Sequence, residues 1–146
     1  MSQRENAIGA LFVLLGQLSL GTSGTTVKRN AALPERVADH AMAILRDGEM
    51  GEPEVSLSPL TYHWQHQVAI ELFVADPDTA ARDARMDGLL VELATLIDLD
   101  RTLGGQVEYA EIGPPKFDEL APDGTGGIKA CLLTMVLHYS SSGPLH

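Results

Sequence analysis

The chain has 146 residues, 45% of them apolar, which is enough to bury one hydrophobic core, so a single domain over 1–146 is expected. Its formal net charge of −10, with ten scattered basic residues, speaks against a nucleic-acid-binding surface, which needs clustered Lys and Arg facing phosphate. The single cysteine, Cys131, excludes an intramolecular disulfide, fits synthesis in a reducing cytoplasm, and reads as a buried, inert thiol in its apolar run.

Ser2 followed by Glu5 has the form of a capping box, and Ile8, Leu11, Phe12, Leu15 and Leu18 recur at three- and four-residue spacing. This predicts a helix from Gln3 to about Leu18 with one apolar stripe. The stretch Ile8 to Leu20 is interrupted by Gly9, Gly16, Gln17 and Ser19, too short for a membrane span, and poor as a signal peptide. Gly21, Thr22, Ser23 and Gly24 stop the helix, and Thr25 to Asn30 reads as a short strand that cannot extend past Pro34. From Asp39 to Arg46, apolar residues on both faces suit a central strand covered on both sides. The next segment, Asp47 to Pro59, combines Gly48, Gly51, Pro53 and Pro59 with Asp47, Glu49, Glu52 and Glu54, and is expected to be a flexible, projecting acidic loop.

Between Tyr62 and Val74 the alternation is strict. Tyr62, Trp64, His66, Val68, Ile70, Leu72 and Val74 share one face, and His63, Gln65, Gln67, Ala69 and Glu71 the other. Asp76 as N-cap and Pro77 at the first helical position are expected to open a second helix, with Met86, Leu89, Leu90, Leu93, Leu96 and Ile97 facing the sheet. Asp100 to Gly105 is the turn out of it. Gln106 to Ile112 reads as a fourth strand, 113–127 as a proline- and glycine-rich loop, and Ile128 to Ser140 as a fifth strand. The fold class is therefore α+β, a mostly antiparallel sheet of about five strands packed against two helices in the order αβββαββ.

No pattern points to catalysis, a cofactor or a metal. His63 and His66 are separated by an odd number in a strand, so they point to opposite faces and cannot chelate one ion; His40 and His138 lie on other strands. The segments GTSGTTVK (21–28) and GTGGIK (124–129) each lead into a strand, where no helix N-terminus is available to hold phosphate. Asp83 and Asp87, interleaved with Arg82 and Arg85, look like a solvated helix face. Trp64 and Tyr62 form either an exposed aromatic patch suited to a subunit interface or part of the core.

Several short motifs stand in a definite order: TVKRN (26–30), RDG (46–48), the long strand ending before Asp76 and Pro77, DRTLGG (100–105), and KACLLTMVLHYS (129–140). Over nearly its whole length this arrangement resembles the tail terminator family, also called minor tail or tail completion proteins, of long-tailed bacteriophages and phage-derived gene transfer particles. The resemblance implies a structural virion protein and not an enzyme. Its subunits would form a ring, usually hexameric, that caps the tail tube, ends its polymerisation and gives the head a docking surface. The implied partners are other copies of the chain, the tail tube protein, and a head-completion or connector protein. DNA would pass through the lumen without specific binding, and no membrane would be involved. The implied location is the head-proximal end of the virion tail, after synthesis in the host bacterial cytoplasm.

On that reading, Asp47, Glu49, Glu52 and Glu54 are the candidates for contact with the tube or pore, in a loop that orders on contact. Tyr62, Trp64, Arg29 and Arg46 are the candidates for the subunit interface. The alternatives are a small-ligand-binding or enzymatic α+β domain with a pocket around His66 and Tyr139, and a different head–tail joining or tube component.

Overall fold

The structure is a computed structural model and describes residues 1–20, 24–32, 41–120 and 127–146. The expected turn at 21–23, the strand stop at Pro34, His40 and the glycines at 124–126 lie outside the described residues. The described fold is α+β, with two helices and a seven-stranded, mostly antiparallel sheet.

Helix α1 spans Gln3–Gly16 and continues as a 3-10 turn, Gln17–Leu20. Ser2 caps it, its hydroxyl accepting from the Glu5 backbone N–H at 3.2 Å. The first strands are β1 (Thr26–Arg29), β2 (Ala41–Glu49), β3 (Glu54–Ser56) and β4 (Thr61–Ala75). Helix α2 covers Thr79–Leu99, followed by β5 (Tyr109–Ile112), β6 (Lys116–Leu120) and β7 (Ile128–Ser141). The main path of the sheet is β1-β2-β4-β7-β5, with β3 beside β4 and β6 beside β7. Among the described strands only β1 with β2 is parallel; β4 and β7 form the spine, paired without interruption from Tyr62↔Ser141 to Ala75↔Ile128.

Three boundaries differ from expectation. The segment expected as a loop over 47–59 carries the end of β2 and all of β3, and the loop expected over 113–127 contains β6. The N-cap of α2 is Asp78, whose carboxylate accepts from Ala81 N–H at 3.0 Å; Asp76 is held at the sheet end, its N–H donating to the Gly127 carbonyl at 2.9 Å. Arg82 is not on a solvated face: it is buried against the sheet end, and its Nη1 donates to the Asp76 carbonyl at 2.9 Å.

Both helices pack on one face of the sheet. Ile8, Leu11 and Leu15 of α1 and Met86, Leu89, Leu93 and Ile97 of α2 meet Val68, Ile70 and Leu72 of β4 and Leu133, Met135 and Leu137 of β7 in one core. Each fully buried side chain of this size contributes about 1.5–3 kcal/mol by leaving water. On the other face, Met42, Ile44, Phe73 and Ile128 form a smaller cluster at one end, which is why β2 is apolar on both sides. The rest of that face carries the exposed Gln65, Gln67 and Thr134. Among the described residues, no helix is long and apolar enough to cross a membrane.

Candidate assembly surface

A β-bulge shapes the end of β2. The β2–β4 register shifts between Arg46 and Glu49, and Gly48 takes φ +63 at the shift. A Cβ at Gly48 would lie 1.9 Å from the Gln67 carbonyl oxygen, so only glycine fits there. The bulge sets both polar ends of Asp47 to work. Its carboxylate accepts from Arg29 Nε and Nη2 at 2.8 and 2.9 Å, while Arg29 also donates to both oxygens of Glu5 at 2.6 and 3.0 Å. Its carbonyl oxygen lies 2.6 Å from His66 Nε2.

A carbonyl only accepts, so Nε2 carries the proton of His66, and Nδ1 accepts from the Tyr139 hydroxyl at 2.7 Å. The chain Glu5–Arg29–Asp47–His66–Tyr139 thus ties α1, β1, β2, β4 and β7 together beneath the bulge. Its hydrogen bonds to Arg29 hold the Glu5 and Asp47 carboxyls below their usual range, and burial pushes His66 down and Tyr139 up to about 12. Cys131 is buried, and burial raises its thiol pKa, which disfavours the nucleophilic thiolate.

These contacts place the expected site residues. Arg29 is bonded to Glu5 and Asp47, and Arg46 to Glu71 at 2.9 Å, so both guanidinium groups have partners inside the chain while remaining partly exposed. Asp47 is likewise bonded inside the chain, at the end of β2 and not on a free loop. Trp64 belongs to the core: it is 6% exposed, and its indole N–H donates to Ser141 Oγ at 2.9 Å. Tyr62 is half-buried and stacked on it, with ring centroids 6.3 Å apart. Glu49, Glu52 and Glu54 are exposed as expected, but Glu54 sits on β3, opposite His63. His63 is exposed and His66 buried, on opposite faces as their spacing requires.

Beyond the bulge, β3 and the start of β4 form a hairpin paired at Glu54↔His63, Val55↔Tyr62 and Ser56↔Thr61. Its side chains are the part of the surface that sequence reasoning missed. Val55, Leu57 and Leu60 are 51%, 77% and 49% exposed on a short arm whose base carries Glu49, Glu52 and Glu54. The signal was present as VSLSPL (55–60), where apolar residues alternate with turn residues.

Neither of two open clefts has the form of an enclosed active site. One, of about 500 Å³, lies between Ala41 and α2 and is lined by Asp76, Ala81, Arg85, Gly88 and Glu92. The other, about 210 Å³, lies at the base of the hairpin among Glu52, Glu54, His63, Glu108 and His138. Among the described residues, no group of three or more His, Cys, Asp or Glu has the geometry to hold a metal ion. No model of a known protein family matches the chain, and no curated protein matches it.

Proposed function

We propose that this chain is a structural subunit of a phage or phage-derived tail, and that copies of it form a ring capping the tail tube at its head-proximal end. The observation that carries this reading is the arm 54–60, which holds three large apolar side chains in water. A monomer gains nothing from that exposure, whereas an assembling subunit gains an anchor. The α+β class of the fold is consistent with what the resemblance implies. Glu49, Glu52 and Glu54 at the base of the arm give the assembled surface a negative field that keeps passing DNA from adhering.

The reading as a ligand-binding or enzymatic domain draws no support from the pair on which it rested. His66 and Tyr139 are 1% and 2% exposed and bonded to each other, and of the two only Tyr139 lines the cleft of about 210 Å³. The test of the tail reading is to add the purified chain to polymerising tail tube subunits. Tubes that stop at a definite length with the chain at one end support a terminator. Unlimited self-polymerisation of the chain would instead make it a tube component, and no effect on tube growth would overturn the reading.

A further inference from the structure

The bulge joins two residues whose sequence is chemically reactive. In an Asp-Gly pair the glycine amide nitrogen has no side chain beside it to screen it, and it can attack the carboxyl carbon of the aspartate. Such pairs occur at 47–48, 87–88 and 123–124, the last outside the described residues. Asp87 and Gly88 lie inside α2, where regular helical hydrogen bonding restrains the backbone. Asp47 and Gly48 stand where the β2–β4 register shifts, with Gly48 exposed and the Asp47 side chain 39% exposed, so solvent water reaches the pair.

Neither residue can be exchanged without loss. A Cβ at Gly48 would strike the Gln67 carbonyl oxygen, and Asp47 supplies the carboxylate that Arg29 holds. The fold therefore keeps a reactive pair at the root of the arm and surrounds it with restraints. Arg29 grips both carboxylate oxygens, at 2.8 and 2.9 Å, and is itself fixed by Glu5. The Asp47 backbone N–H donates to Asn30 Oδ1 at 3.1 Å, and its carbonyl oxygen accepts from His66. The bonds to Arg29 also hold the carboxyl below its usual range, in the ionised form that a nucleophile attacks least readily.

We infer that Asp47–Gly48 is a latent isoaspartate site, and that the Arg29 clamp is what preserves it as aspartate. In the reaction the Gly48 nitrogen bonds to Asp47 Cγ, and one carboxyl oxygen leaves as water, taking the amide proton and one proton from solvent. The product is a succinimide ring, and the departing oxygen is one of the two that Arg29 holds. Solvent water then opens the ring. Addition at Cγ restores aspartate, whereas addition at the main-chain carbonyl carbon breaks its bond to the Gly48 nitrogen and leaves isoaspartate, with no net change in composition.

In isoaspartate the chain runs through Cβ and Cγ and is one carbon longer. The group that faced Arg29 becomes an amide, and the carbonyl that accepted from His66 becomes a carboxylate. The change dissolves the Glu5–Arg29–Asp47 tie and lengthens the bulge from which the arm departs, so it is an ageing step built into this surface.

The test ages the full wild-type chain, Arg29→Gln and Arg29→Lys side by side in mildly acidic buffer, with a synthetic peptide of residues 43–52 as the unrestrained reference. Circular dichroism checks folding at the start, and peptide mapping with electron-transfer fragmentation locates isoaspartate. Position 47 is expected to isomerise many-fold more slowly in the wild type than in the peptide, and several-fold faster in Arg29→Gln than in the wild type. Arg29→Lys, which keeps the charge but loses the fork, should fall between. Asp87 should age at one rate in all three folded chains, which separates release of the clamp from general loosening of the fold. Equal rates at position 47 in the wild type and Arg29→Gln, a rise in Arg29→Gln that Asp87 shares, or a wild-type rate equal to that of the peptide would overturn the inference.

Discussion

Gly48→Ala tests the bulge on which the network and the departure of the arm depend. The substitution meets two penalties. A non-glycine residue at φ +63 costs about 1–2 kcal/mol. The new Cβ would also stand 1.9 Å from a backbone oxygen, so the Gln67 carbonyl or the bulge must retreat by 1.1 Å merely to reach a 3.0 Å contact. Backbone cannot swing aside as a side chain can, and the move strains the Glu49↔Gln67 pairing and the His66–Asp47 bond. Together the loss is about 3–5 kcal/mol, of the size associated with overpacking plus one or two broken hydrogen bonds.

Urea titration followed by circular dichroism measures it, with Gly51→Ala as control. Gly51 also has positive φ, at +71, but no atom lies within 4 Å of its would-be Cβ, so it should lose only about 1–2 kcal/mol. Equal losses at the two positions would refute the account of the bulge.

Three further outcomes follow from the buried network. Tyr139→Phe leaves His66 Nδ1 buried without a donor and should cost about 1–3 kcal/mol in urea titration. Arg29→Gln removes the bridge between Glu5 and Asp47; because all three are partly exposed, the loss should be only about 1–2 kcal/mol and should shrink in high salt. The pH dependence has two windows. Burial holds His66 below its ordinary value of 6.5, so the unfolded chain takes the proton first and stability falls as pH drops below 6.5; His66→Gln should flatten that slope. At lower pH, the stabilisation from the depressed Glu5 and Asp47 carboxyls, fully present above their unfolded values, is lost as pH falls through their folded ones, and Arg29→Gln should remove this dependence. Urea titrations at stepped pH separate the two.

Much of the frame was legible because burial imposes a period on the sequence. The alternation from Tyr62 to Val74 matches the buried face of β4, including His66, and the stripe Met86, Leu89, Leu93, Ile97 matches the buried face of α2. β3 and β6 were not legible, for a physical reason. Glu54–Ser56 is exposed at every position and flanked by Pro53 and Pro59, while Lys116, Phe117 and Asp118 are each exposed and follow two prolines, so neither of these stretches carries a buried side to set a pattern. The start of α2 was misplaced because Asp76-Pro77-Asp78 offers two caps, and the sheet claims the first through Gly127.

The site was less legible than the frame. Charge marked 47–59 as a surface feature, yet Asp47 turned inward to Arg29, and the exposed apolar residues Val55, Leu57 and Leu60 were overlooked among their turn-forming neighbours. Partners such as Glu5 and Arg29, or His66 and Tyr139, are far apart in sequence and are joined only by the register of the sheet.

The most direct test of the central claim is electron microscopy of particles assembled in the producing cell without this chain, scoring tail length and head attachment. The account predicts overlong tails or tails without heads, whereas particles with tails of normal length joined to heads would contradict it.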